Sequence, residues 1–178
     1  MSHFLVISAL AADQPGIVDQ LAKAAKENAC SIMDSRMTVM GGEFAVLMMV
    51  SGEEPAIVKM EAQIQALSEQ LNLSCVTRRT ELKLATQKLL PYKVEVVALD
   101  NLGIVHEIAS FFSEQSINIE NMDTETYSAP HTGSPMFSLN MIVEIPASIT
   151  ISNLKDQFSD FCDDRNLDGA LEPARNTL

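Results

Sequence analysis

Apolar positions along this chain follow two periods that alternate. Phe4-Leu5-Val6-Ile7 is a continuous apolar run, as expected for a strand that is central in its sheet or covered on both faces. Beyond Gly16, residues Ile17, Val18, Leu21, Ala22 and Ala25 recur at helical spacing, with Asp19, Lys23, Lys26 and Glu27 on the other side. That spacing predicts a core-facing helix ending at Asn28. Period two then returns: Met33, Ser35, Met37 and Val39 alternate with Asp34, Arg36 and Thr38, which predicts a strand over 32–40 with one wet face. Gly41-Gly42 reads as a hairpin turn into a strand over 44–50. Glu53, Glu54 and Pro55 suit the first turn of a second helix, whose stripe is Ile57, Met60, Ile64, Leu67 and Leu71. A short strand over 73–80 completes a βαββαβ unit.

The pattern then restarts. Residues 81–90 contain no glycine or proline and keep four leucines, so they read as an ordered connection rather than a flexible linker. Residues 93–99 resemble the first strand, and Gly103 follows Gly16 by 103 − 16 = 87 positions. At that offset Asp13 matches Asp100, Ile17 matches Ile104, Ala22 matches Ala109 and Ile32 matches Ile119, which is an internal repeat. The second helix carries Ile104, Val105, Ile108, Phe111 and Phe112 on its apolar side, and a strand is predicted over 117–127. Its partner alternates Phe137, Leu139, Met141 and Val143 with Ser138, Asn140 and Glu144. Between these two strands lies a Pro/Gly-rich loop over 128–135, longer than the Gly41-Gly42 turn. A last helix bearing Ile151, Leu154, Phe158 and Phe161 leads to a closing strand near 167–171. The expected fold class is α+β: two ferredoxin-like βαββαβ domains over 1–81 and 92–178, joined through 82–91. Each is an antiparallel four-stranded sheet with two helices on one face.

The repeat gives weight to the two turns, Asp13-Gln14-Pro15-Gly16-Ile17 and Asp100-Asn101-Leu102-Gly103-Ile104. Each opens a helix whose first N–H groups lack partners within it, where the peptide dipoles leave partial positive charge able to receive a carboxylate. Glycine allows a close approach to the backbone. The competing reading is a turn capped by Asp13 or Asp100 with nothing bound.

Charge narrows the partners. Asp plus Glu number 24 against 12 for Lys plus Arg, a formal net charge of -12, which argues against direct nucleic-acid binding. Three widely spaced cysteines give neither a disulfide framework nor a metal-ligand cluster, and they fit a reducing cytoplasm. No apolar run reaches membrane-spanning length. His3 and His106 lack ligand spacing, so no metal and no cofactor is expected. His131, in the loop with Pro130, Thr132 and Gly133, is a candidate contact to a ligand or partner. No nucleophile elbow, P-loop or recognised catalytic cysteine signature is present, and enzyme activity is not expected. The methionines fall mostly on strands as core filler, any exposed subset forming an adaptable surface. Open sheet edges are a liability, so the two sheets are expected to pair with each other or with another chain, a homodimer included.

A repeated βαββαβ unit with Asp-x-Pro-Gly-Ile after its first strand resembles the ACT domain, a regulatory ligand-binding module. The first copy keeps the motif; the second has Leu102 where proline is usual. The tandem arrangement and the stretch Ala-Pro-His-Thr-Gly-Ser-Pro-Met-Phe at 129–137 resemble the glycine cleavage system transcriptional repressor family. That resemblance implies a small amino acid, glycine foremost, bound where the first strand meets the first helix. The N–H groups of Gly16 and Ile17, or of Gly103 and Ile104, would take the carboxylate, and Asp13, Asp100, Asn101 or Asn118 the ammonium. It further implies repression without DNA contact, through a LysR-type activator of the glycine cleavage operon. The alternatives weighed are a ferredoxin-like enzyme of the acylphosphatase kind, which would want an arginine that neither turn carries, and an ACT-type regulatory subunit of a metabolic enzyme.

Overall fold

The computed structural model describes residues 2–82 and 88–174. In order, the elements are β1 (His3–Ala12), α1 (Ile17–Glu27), β2 (Ser31–Met40), β3 (Glu43–Gly52), α2 (Glu54–Gln70) and β4 (Ser74–Thr80). The series repeats as β5 (Leu89–Leu99), α3 (Ile104–Glu114), β6 (Asn118–Ser128), β7 (Pro135–Pro146), α4 (Ile151–Arg165) and β8 (Asp168–Pro173). The chain divides into two units, Met1–Leu84 and Ala85–Leu178. Each holds one four-stranded antiparallel sheet, in the orders β2-β3-β1-β4 and β6-β7-β5-β8. The expected α+β class and both βαββαβ units are present.

One face of each sheet is covered by its two helices. In the first unit Leu5, Ile7, Ala9 and Ala11 of β1 and Phe44, Val46, Met48 and Val50 of β3 are buried beneath Leu21, Ala24, Ile57, Met60 and Ile64. The apolar run at Phe4–Ile7 is therefore the central-strand case, with one face buried: Leu5 and Ile7 are fully enclosed while Phe4 and Val6 are half-buried on the other face. The second core is more aromatic, with Phe112 and Phe158 fully enclosed and Phe111 and Phe161 packed around them in mostly edge-on and tilted contacts, at 4.9 to 6.1 Å between ring centroids. At 25 cal/mol per Å² of apolar area, burial of each such ring is worth roughly 2–3 kcal/mol.

The edge strands differ from expectation. β2 has no buried residue on either face, because only β3 flanks it and the helices do not reach over it. Met33, Met37, Val39 and Met40 are all about half exposed or more. β6, at the equivalent edge, is equally open but presents Glu120, Asp123 and Glu125. β5 also begins earlier than expected: Leu89 lies opposite Pro146 and Pro91 opposite Glu144, in ladder positions assigned above to a connection. Residues 83–87 of that connection lie outside the described residues. The 87-residue offset persists in the backbone, since Ala29 (φ 54°) and Ser116 (φ 57°) both turn the chain left-handed just after the first helix of their unit.

Candidate functional site at the two glycine turns

Gly16 and Gly103 have nearly superposable backbones, with φ and ψ of 99° and −11° for the first and 96° and −8° for the second. Both lie in the left-handed region, where a side chain is strained. Around each, the space a Cβ would enter is empty to 4 Å, so glycine is required by backbone angle and not by crowding. Each is the N-cap of its helix, its carbonyl accepting from Gln20 or Glu107 N–H at 3.0 Å. Neither Asp13 nor Asp100 caps: no side-chain cap hydrogen bond is made at either helix. The capped-turn reading is thereby corrected. The aspartates instead tie back through their N–H groups, Asp13 to Gly42 O and Asp100 to Pro135 O, both at 2.9 Å.

Asp13, Gln14, Pro15 and Gly16 are exposed and Ile17 is buried; Asp100, Asn101, Leu102 and Gly103 are exposed and Ile104 is buried. Each turn thus sits on the surface, anchored by the isoleucine that follows. Asn101 Oδ1 accepts the Leu102 N–H at 2.9 Å, a local bond that bends the second turn without proline's fixed φ. Leu102 projects into solvent, 97% exposed.

The second turn borders a groove of about 410 Å³, lined by Leu99, Asn101, Leu102, Ile104 and Glu107 on one side and by Asp164, Arg165, Asn166 and Leu167 on the other. The second group comes from the end of α4, brought there because β8 runs antiparallel to β5 and so starts where β5 ends. Asn166, left-handed at φ 52°, makes that bend. Arg165 is held in three ways: Nε to Glu107 Oε2 at 3.0 Å, Nη1 to Phe161 O at 3.4 Å, and the guanidinium 4.1 Å above the Phe161 ring. A cation is fixed beside the N-terminus of α3, with carboxylates of Glu107 and Asp164 alongside. Such a groove offers both signs of charge within one small volume.

Sequence reading missed Arg165, Asp164 and Asn166, which lie more than sixty residues from Gly103. An Arg-Asn-Leu-Asp-Gly run at a helix end was the available signal. Asn118 does not stand beside the turn of its own unit. It starts β6 opposite Glu144, the row that also pairs Pro91, and its amide lies 3.3 Å from Glu144 Oε2. Because α3 carries the chain the length of the sheet before β6 begins, Asn118 stands at the far end of its unit from Gly103. His131, Pro130, Thr132 and Gly133 form an exposed hairpin loop closed by Ala129 N–H to Ser134 O at 2.8 Å and Gly133 N–H to Ala129 O at 2.9 Å.

Among the described residues no group of three or more His, Cys, Asp or Glu side chains is gathered as for a metal. The thiols are buried or half-buried: burial pushes Cys30 and Cys75 up from the ordinary thiol range, and Cys162, with Asp163 adding to burial, up to about 11. No helix among them is long and apolar enough to cross a membrane.

The family model of the ACT domain matches residues 3–77. Over 169 residues the chain is 28% identical to the glycine cleavage system transcriptional repressor of Escherichia coli (strain K12), covering 95% of this chain and 89% of that protein. The same protein of Shigella flexneri matches equally. A crystal structure provisionally identified as a glycine cleavage system transcriptional repressor superposes with a TM-score of 0.73 at 25% identity, covering 99% of both chains. A protein of unknown role from Galdieria sulphuraria shares the fold over 98% of this chain and all of its own, with a TM-score of 0.80 at 23% identity. The chain, with an ACT-domain match at 3–77 and the same unit repeated behind it, is thus similar along nearly its whole length to glycine cleavage system transcriptional repressors.

Proposed function

We propose that this protein is a cytoplasmic, non-enzymatic regulator that binds glycine at the second turn and opposes a LysR-type activator of the glycine cleavage operon by direct protein contact. The observation that carries this is the groove at Gly103. It joins an uncapped helix N-terminus to a fixed guanidinium and to carboxylates, in a chain similar along 95% of its length to a named repressor.

A zwitterion without a side chain is the ligand this chemistry suits. Its carboxylate accepts from the first N–H groups of α3, where the dipole is positive, with Arg165 as counter-charge. Its ammonium turns to Asp100, Asn101 or Asp164. At the first turn the corresponding groups are Asp13, Gln14, Pro15, Gly16 and Ile17, and we assign that turn the lesser part.

Repression by contact accords with the formal charge of -12, which disfavours a phosphate backbone. Glycine relieves repression only if it binds the free protein and the partner-bound protein with different affinity, since equal affinity shifts nothing.

Calorimetric titration with glycine, and with serine, alanine and phenylalanine as controls, tests the reading. Glycine-selective binding is expected, weakened at least tenfold by Gly103→Val and by Arg165→Gln and little altered by Gly16→Val. Absence of binding to every amino acid overturns the sensor. Loss in Gly16→Val alone moves the site to the first turn. The purified activator should co-sediment with the protein, less so with glycine present; no co-sedimentation under either condition rejects the partner.

A further inference from the structure

Each sheet has one face that its helices do not cover. In the first sheet, strand register sets the side chains of that face in rows across the four strands. One row runs Arg36, Leu47, Ser8, Val76, and the next runs Asp34, Met49, Val6, Arg78. Phe4 and Leu10 extend the apolar column along β1. Leu10 is 47% exposed, Leu47 51% and Val76 69%. The second sheet repeats this grid with other chemistry. Its matching rows read Asp123, Asn140, Glu95, Ala170 and Asn121, Ile142, Lys93, Glu172. Both sheets form the same ladders in the same order, so the backbone does not require apolar residues at these outward places. The first unit nonetheless sets Leu47, Val6 and Val76 where the second sets Asn140, Lys93 and Ala170.

We infer that this face of the first sheet is a docking surface for one amphipathic α-helix of a partner protein, its apolar stripe laid along β1 and β3 and a carboxylate of its flank set over Arg78. Dimensions fix the occupant. Strands about 4.8 Å apart put β2 and β4 roughly 14 Å from each other, and a helix with its side chains is about 10–12 Å across. One helix therefore fills the span between Arg36 and Arg78, and two do not fit. From Phe4 to Leu10, β1 runs about 20 Å, the length of roughly 13 helical residues. A hollow of about 200 Å³, lined by Val6, Leu47 and Met49 beside Asp34 and Arg36, receives one apolar anchor side chain. Charge sets the sidedness. Arg36 is neutralised by Asp34, whereas Arg78 makes no ion pair among the described residues. A carboxylate on the β4 flank of the helix completes Arg78, and a lysine there is repelled.

Fluorescence anisotropy with the full chain tests this. The probe is a labelled, stapled helical peptide of about 14 residues, with a leucine stripe and glutamates along one flank; a second peptide carries lysines on that flank. The parent is expected to bind the glutamate peptide saturably and in preference to the lysine peptide. Leu47→Glu and Val76→Glu should each weaken binding about tenfold, and Arg78→Glu should reverse the preference between peptides. Asn140→Glu, the matching position on the second sheet, should change nothing, and circular dichroism verifies that each variant folds. Neither glycine nor an activator is in the assay, so its outcome is independent of the proposed sensor. The inference is overturned if the parent binds neither peptide, binds both alike, or is weakened no more by Leu47→Glu than by Asn140→Glu. Binding to phosphatidylglycerol vesicles in place of the peptide overturns it in favour of a lipid surface. A change of sedimenting mass in Leu47→Glu alone overturns it in favour of a contact between copies.

Discussion

At the scale of the residue, the two glycines and the buried sulfurs make the sharpest demands. A left-handed conformation costs an ordinary L-residue about 1–2 kcal/mol, and nothing crowds Gly16 or Gly103. Gly16→Ala and Gly103→Ala should each lower unfolding free energy by about that amount, and Gly→Asn by less, as read from denaturant midpoints. Gly169 is a different case: a Cβ there runs into Cys162 Sγ and comes within 3.2 Å of Phe158 Cε1. Gly169→Ala should cost about 1–3 kcal/mol, and Cys162→Ala in the same chain should recover part of it. The Cys162 thiol also sets a pH limit. Its thiolate is disfavoured in the fold, with a pKa of about 11 against an ordinary 9.0, so the unfolded chain releases a proton first. Stability is unaffected by this group below pH 9 and falls as pH rises from 9 to 11, a decline that Cys162→Ala should flatten in denaturation series.

At the scale of the element, packing decides more than periodicity does. Met60 is fully enclosed between α2 and the first sheet, and Met60→Ala should lower stability by about 2–5 kcal/mol in chemical denaturation. The helical stripes of α2 and α4 were legible because a core-facing helix writes its burial into its own spacing. β2 and β6 were not, since alternation records two faces but not whether anything covers them. Arg165 and Glu107 were hidden for a related reason: sequence offers two distant residues, and only strand direction joins the end of α4 to the start of α3. The family resemblance suggested Asn118 through its place in the motif, yet a helix of eleven residues spans about 16 Å and carries β6's start to the other end of the sheet from Gly103.

At the scale of the whole molecule, ligand and charge are the levers. If glycine binds the native protein and not the unfolded chain, saturation at a hundredfold excess over Kd adds about 2.7 kcal/mol to stability. A thermal shift is therefore expected with glycine, larger than with phenylalanine and diminished in Arg165→Gln. The fold as a whole was legible from the duplicated pattern: two βαββαβ units, with a glycine turn in each. One feature of that pattern reaches beyond stability. Because Asp34 and Arg36 pair with each other on an otherwise uncharged strand, the β2 edge cancels its own charge, a neutral stripe on a chain of formal net charge -12.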